Sequence, residues 1–295
     1  MPSSTMPSSI PTLSQLQEVL LDEEKCTDAL FEYGILNLRS PCAACGSSMK
    51  RTRKLFRCRS ASCGKSISIF RDSFFANTRI KCCEVLLIGY LWLSNATSTT
   101  IATLAGHSSH TVAEYIRHFQ QLVASSIDED DTLIGGPNVV VEVDESKMGK
   151  RKYHRGHPVE GVWIVGGVER TSERKIFAES VQNRNQETLL EIISRHVAPG
   201  SIIHTDLWRG YTGLERLGFV HRTVNHSQFF IDPDSGVHTN TIEGTWNGIK
   251  LNISPRNRNQ DHVDGHLLSY IWKRKHCQNL WGGLINALRE TSYPE

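Results

Sequence analysis

The feature that most restricts the fold is a change of hydrophobic period at Gly135-Gly136-Pro137. Ahead of that tripeptide, apolar residues recur at helical spacing or stand among basic residues and cysteines; beyond it they gather in short β-branched blocks. The run from Val139 to Val143, then GVWIVGGV and KIFAESV, read as three strands; NQETLLEIISRHV reads as a helix and SIIHTD as a fourth strand. A β-β-β-α-β order followed by helices indicates a mixed α/β domain.

Three acids stand out in that frame. Asp144 closes VVVEVD, Asp206 closes SIIHTD, and Glu243 lies early in the helix-like TNTIEGTWNGIK. If the sheet brings the two strands together and the helix packs beside them, the acids converge, and such a cluster repels itself unless cations sit in it. That is the composition of a divalent-metal phosphoryl-transfer site. Each acid has a plainer alternative: Asp144 as a strand-end acid already in solvent, with Glu142 or Glu145 taking the metal instead; Asp206 as the N-cap of the turn LWRGY; Glu243 as half of a capping box with Asn240. By period two, Asp144 shares a strand face with Glu142, and Val141 and Val143 take the other. On the later helix, Ile242, Trp246 and Ile249 form the apolar stripe, with Glu243, Asn247 and Lys250 on an adjacent face.

Cys42-x2-Cys45, twelve residues, then Cys58-x4-Cys63 gives two close pairs of thiolates, each pair followed at once by a glycine, Gly46 and Gly64. This is zinc-ribbon spacing, and a closed site of four sulfurs holds the fold and does no chemistry. With a metal-like spacing and no secretory signal the cysteines read as those of a reducing compartment, and Cys26, Cys82, Cys83 and Cys277 read as buried structural thiols. The net charge is only +2, yet ten Lys or Arg stand between Lys50 and Lys81 against the single acid Asp72, while residues 1–40 carry six acids against Lys25 and Arg39. Segregated charge of this kind suits a polyanionic partner. Lys50, Arg51, Arg53 and Lys54 are candidate phosphate contacts, with a solvated basic face as the alternative. The longest apolar stretch, VLLIGYLWL, is too short to span a bilayer, and a soluble intracellular protein is expected.

In STTIATLAGHSSHTVAEYIRHFQQLV, Ile101, Leu104 and Ala105 form one apolar face, Gly106 breaks it, and Val112, Ile116 and Phe119 form the next. Two helices joined by a tight turn fit, with Ser108 or Ser109 capping the second. In a DNA-reading helix-turn-helix this places His110, Thr111, Glu114 and Arg117 near the end that enters the major groove. The same pattern also suits a small bundle that binds nothing.

The segments VEVDESK, GKRKYHRGH, HTDLWRGY, VNHSQFF and HTNTIEGTWNGIK, in that order, resemble the D-D-E catalytic domain of the Merlin superfamily of cut-and-paste transposases and their bacterial insertion-sequence relatives, and the zinc ribbon resembles that family's N-terminal part. The resemblance implies an RNase H-like fold: a mixed five-stranded sheet flanked by helices, with Asp144 on the first strand, Asp206 beside it on the fourth, and Glu243 on a following helix. Along its length the chain is expected to divide into an N-terminal flexible and helical segment (1–40), a zinc ribbon (41–75), a helix-turn-helix region (76–127), the catalytic domain (128–280) and a C-terminal tail (281–295). The cysteine spacing calls for a structural Zn²⁺; the resemblance implies two Mg²⁺, with Mn²⁺ as a substitute, held by the three acids, and double-stranded DNA, both terminal inverted repeats and target, as partner.

A dimer or larger homo-oligomer is expected because two ends must be joined, and the location follows the host: the nucleus in a eukaryote, the cytoplasm and nucleoid in a bacterium. Lys147, Lys150, Arg151, Lys152 and Arg155, between the first two strands, are candidates to grip the backbone beside the cut. His204, His226, His238, Asn247 and Trp208 are auxiliary candidates, His204 having the commoner alternative of a satisfied buried histidine and Trp208 the possibility of stacking on an unpaired base. Two other functions stay open: a DNA-binding regulator derived from such an enzyme and no longer catalytic, and a structure-selective nuclease of the same fold.

Overall fold

Residue 127 is where the chain passes from one compact unit to another in the computed structural model, which describes residues 10–39, 41–149, 161–291 and 293. The first unit contains the chain up to Ser126 together with the segment from His276 onward; the second is Ile127–Lys275.

The first unit begins with α1 (Leu13–Leu21) and α2 (Glu23–Glu32). Asp22 separates them, its carboxylate accepting from the amides of Glu24 and Lys25 at 2.8 and 2.9 Å and so capping α2. Three short strands, β1 (Met49–Arg51), β2 (Leu55–Cys58) and β3 (Ser66–Ser68), make an antiparallel sheet in that order. The next helix, α3 (Cys82–Leu93), is apolar on every side, and Val85, Leu86, Ile88 and Leu93 are fully enclosed, as such a helix requires. Then come α4 (Ser98–Ala105) and α5 (Ser109–Ala124). Gly106 ends α4 in the left-handed conformation (φ 70°), and the Ser108 hydroxyl accepts from the Thr111 amide at 3.1 Å to cap α5. Phe119 of α5 stacks on Phe74 and Trp92, with ring centroids 5.2 and 5.9 Å apart. Leu104, expected on the apolar face of α4, is 60 % exposed; Ile101 alone of that helix is buried.

The second unit opens with α6 (Glu129–Thr132), a single turn within the acidic run; Asp128 caps it by accepting from the Asp131 amide at 3.0 Å. There follow β4 (Ile134–Gly135), β5 (Val140–Met148), β6 (Val162–Glu169), β7 (Ile176–Val181), α7 (Gln186–His196), β8 (Val197–Ala198), β9 (Ile202–Asp206), β10 (Val220–Val224), α8 (Asn240–Asn252) and α9 (Gln260–Lys275). The main sheet has the order β10-β9-β5-β6-β7: β5, β6 and β7 are antiparallel, whereas β9 and β10 run parallel to β5. One face carries Val141, Val143, Val165, Phe177 and Ile203 against Leu189, Ile192 and Ile193 of α7. The other carries Ile164, Val168 and Ile176 against Ile242, Trp246 and Ile249 of α8 and Val263, Leu267 and Ile271 of α9. Alternation along β5 therefore sends Glu142 and Asp144 toward α8, and Val141 and Val143 toward α7.

The strand carrying Asp144 does not end there. Pairing with β6 continues from Val141↔Glu169 to Met148↔Val162, and Ser146 and Met148 are buried beyond the acid. Only the pairing with β9 stops short, its last partners being Glu142↔His204.

After α9 the chain returns to the first unit as α10 (Leu280–Glu290). A C-terminal tail was expected here. Leu280, Trp281, Leu284, Ile285 and Leu288 are instead buried, and α10 packs on α3 and α5. Cys26, Cys82 and Cys83 are buried as expected of structural thiols; Cys277 is exposed, in the turn between α9 and α10. Among the described residues no helix is long and apolar enough to cross a membrane.

Candidate active site and metal centre

The four cysteines meet. Cys42, Cys45, Cys58 and Cys63 bring their sulfurs within 4.8 Å of one another, with Cys42 3.9 Å from Cys63 and Cys45 3.4 Å from Cys58. Gly46 and Gly64 have φ of 71° and 58°, the backbone reversal that lets both sulfurs of each pair face one point. The hydroxyl and amide of Ser47 hold the Cys45 thiol down, to about 6, which favours its thiolate form. This donor set and spacing suit Zn²⁺.

The three acids are arranged differently. Asp144 and Asp206 each lie two residues beyond the last paired residues of β5 and β9, Glu142↔His204, and by alternation both are on the face toward α8. Glu243 lies in the first turn of α8, is half exposed, and approaches His226 Nε2 at 4.0 Å. Their oxygens are not drawn into a cluster as tight as the sulfurs, which among the described residues are the group meeting the 4.8 Å spacing. The acids nevertheless feel one another. Burial pushes Asp144 up to about 6, and Asp206 and Glu243 push it the same way, against the Trp246 indole and the Glu145 amide. Glu145 is driven to about 7, first by burial and then by Asp144 and Asp206, with Tyr211 and Arg184 opposing. An uncompensated group of hard carboxylate oxygens is the donor set that suits Mg²⁺ or Mn²⁺.

Two contacts seat α8 against β5. The Trp246 indole N–H donates to Asp144 Oδ2 at 2.9 Å, leaving the other carboxylate oxygen for a different partner. Gly166, opposite Asp144 on β6, makes room for that ring: a Cβ there would stand 2.7 Å from the indole and 2.8 Å from the Phe177 carbonyl oxygen. The second contact is Glu142. Its carboxylate is fully buried and accepts from the amides of Thr241 and Ile242 at 2.8 and 3.0 Å and from Arg170 Nε at 2.6 Å. A strand residue from a hundred positions away therefore caps α8 and complements its dipole.

That cap answers the plainer alternatives for two acids. The N-cap position of α8 is Thr239, whose side chain makes no capping bond, so the Asn240–Glu243 capping box is not formed and Glu243 is free of that duty. Glu142 is committed to Arg170 and the helix amides. Asp206 accepts from the Trp208 amide at 2.9 Å through Oδ1, a contact two residues on and not the expected N-cap, because the 3₁₀ turn Arg209–Tyr211 has Trp208 at its N-cap position.

Of the auxiliary candidates, His226 donates to or accepts from Thr239 Oγ1 at 2.6 Å, beside Glu243. His238 sits on Arg170, 2.8 Å from its Nη2 through Nδ1, and 3.5 Å from Glu142. His204 is buried on the same face as Asp206 and is lowered to about 4 by burial, then by Arg170 and Arg222; among the described residues neither ring nitrogen has a hydrogen-bond partner. Asn247 and Trp208 are exposed.

Among the basic candidates, Arg51 is paired with Asp28 at 2.6 Å and Arg53 with Glu24 at 3.4 Å, both acids belonging to α2, while Lys50 and Lys54 are exposed. Arg117 and His110 are exposed on α5 and Thr111 is half-buried. His110, Thr111 and Glu114 line a groove of about 1100 Å³ with Ser68, Arg71 and Arg79. Lys147 is exposed on β5; Lys150, Arg151, Lys152 and Arg155 lie outside the described residues. Arg170, Arg184 and Trp163 were not singled out from sequence, since nothing local distinguishes them from surface arginines and a strand aromatic.

Set beside known proteins, the chain falls first into a class. Over 100 residues it is 32 % identical to an uncharacterized transposase-like protein of Haemophilus influenzae, a stretch covering 34 % of this chain and 80 % of that relative. Residues 123–272 match the ISXO2-like transposase domain. The chain belongs to that family, which places it among DNA-cleaving enzymes.

Proposed function

We propose that this chain is a cut-and-paste DNA transposase with an RNase H-like catalytic domain of the D-D-E type, related to the Merlin superfamily. The observation that carries the reading is that Asp144 and Asp206 stand just past the paired stretch of the adjacent parallel strands β5 and β9, where Asp206 makes the charge on Asp144 costlier, with the helix of Glu243 tied to β5 through Trp246 and Glu142. The sheet order and the four-cysteine ribbon support it.

In this reading Asp144, Asp206 and Glu243 hold two divalent cations, Mg²⁺ or Mn²⁺. When bound, such ions polarise a phosphodiester and offset charge on the entering and leaving oxygens. The chain's own residues do the rest. Trp246 fixes one oxygen of Asp144, Glu142 fixes the helix of Glu243, and His226 stands at hydrogen-bonding reach of the loop before that helix. Attack by water leaves a 3′ hydroxyl at the transposon end; attack by that hydroxyl joins it to target DNA. The zinc ribbon and α4–α5 read the terminal repeats, with Lys50, Lys54, His110, Thr111 and Arg117 as contacts. Two ends imply at least two copies of the chain at work, in the nucleus of a eukaryotic host or the nucleoid of a bacterial one.

The test is Mg²⁺-dependent cleavage and joining of a duplex bearing the inverted repeats that flank the gene. Asp144→Asn and Glu243→Gln should each abolish cleavage and leave repeat-specific binding within a few-fold of normal. Cleavage that survives both changes refutes the assignment of the acids; specific binding without cleavage by the unaltered protein points to a regulator, and cleavage without joining or repeat preference to a nuclease.

A further inference from the structure

Arg184 has surroundings that structure alone does not require. It lies just before α7, and its guanidinium stands over the Trp163 ring at 4.0 Å and over the Trp208 ring at 4.6 Å from the centroids. Lys147 Nζ stands over the same Trp163 ring at 5.5 Å. Two cations thus share one indole. The carboxylate nearest Arg184 is Glu145, whose Oε2 is 4.0 Å from Nη1, too far for a hydrogen bond. A guanidinium set over aromatic faces makes no hydrogen bond to them and retains its N–H groups, a fork matched to the oxygens of a phosphate.

The position is as telling as the packing. Trp208 is joined through its amide to Asp206, and Glu145 follows Asp144 along β5 with its side chain on the opposite sheet face, so Arg184 sits beside the stretches of strand that carry two candidate catalytic acids. Arg184 is one-third exposed and Trp208 is 43 % exposed, so the cation can be reached from solvent. Two like charges on one ring repel each other, and a bound anion relieves that repulsion.

We propose that Arg184, with Lys147 beside it, is a binding site for a DNA backbone phosphate next to the scissile one, held ready by Trp163 and Trp208. The proposal rests on the reading of this protein as a transposase. Its effect is to fix which phosphodiester of the strand lies over the acids, because a planar fork seated on two rings has little freedom to follow a displaced strand.

The experiment scans the repeat duplex with single neutral methylphosphonates around the cleavage position and measures binding and cleavage by the unaltered protein, Arg184→Gln and Arg184→Lys. The unaltered protein should lose about tenfold at one position. Arg184→Gln should lose nothing further there, remain sensitive at the other positions, and show a slope of log affinity against log salt shallower by about 1. Arg184→Lys should fold as the parent does, retain the salt slope, and recover little of the positional sensitivity. An unchanged methylphosphonate profile in both variants overturns the phosphate site while leaving the transposase reading intact. Failure of the unaltered protein to bind or cut any repeat duplex overturns both.

Discussion

Trp246 on α8 donates its indole N–H to Asp144 on β5 at 2.9 Å, and Glu243 lies three residues before it on the same helix. One side chain thereby orients a candidate metal ligand and fixes the height of another. Replacing Trp246 with Phe keeps most of the apolar packing and removes the donor. Divalent-cation affinity, followed by the Mg²⁺ dependence of cleavage, should fall about 10- to 100-fold, the usual effect of losing a partner that orients a ligand.

Gly166 gives a second handle on the same contact. A methyl group there collides with both the indole and the Phe177 carbonyl oxygen, and backbone cannot yield as a flexible side chain can. Gly166→Ala should destabilise the second unit by about 1–3 kcal/mol, as overpacking of a filled core does, and should also weaken Mg²⁺-dependent cleavage. Chemical denaturation separates the first effect from the second.

The buried Glu142 carboxylate neutralises Arg170 and caps α8 at once. Glu142→Gln retains an acceptor but leaves Arg170 without its counter-charge. Since Arg170 is one-quarter exposed, the cost should lie somewhat below that for a broken buried pair, at about 2–3 kcal/mol, read from urea unfolding. Glu142→Leu, which also removes the cap, should cost more.

The acids also predict a dependence on pH. Asp144 and Glu145 hold their protons more tightly in the folded chain, at about 6 and about 7, than an unfolded chain does near 4. They therefore contribute stability that is full below about pH 4 and is lost as pH rises through 6 and then 7. In Mg²⁺-free buffer the second unit should melt at a lower temperature at pH 8 than at pH 5.5, and added Mg²⁺ should raise the pH 8 value. Asp144→Asn should raise the Mg²⁺-free melting temperature at pH 8 by about 2–6 °C and make it insensitive to Mg²⁺.

Much of this arrangement was readable because acids interrupt apolar blocks in sequence: VVVEVD and SIIHTD mark themselves. The paired cysteines with their trailing glycines are equally local, since the turn and the ligands lie within a few residues of each other. What escaped notice is carried by distant partners. Glu142 looks like a rival to Asp144 until α8, a hundred residues on, arrives with its unbonded amides. For the same reason the Asn240–Glu243 spacing suggests a capping box that the fold does not use. Arg184 stands out only once β6 and the turn after β9 bring two indoles to it, and the apolar stripe of α10 is blurred in the sequence by its Gly-Gly pair.

The return of α10 to the first unit separates the order of the gene from the order of the protein. A frameshift or stop codon near residue 276 would spare all three acids and every strand of the main sheet, yet it would strip Trp281, Leu284 and Leu288 from the interior shared with α3 and α5. Damage at the end of the reading frame falls on the portion made first. A copy decaying from its 3′ end would lose the stability of its N-terminal unit while its catalytic residues were still fully encoded, so an intact set of acids in such a copy says nothing about whether the protein still works.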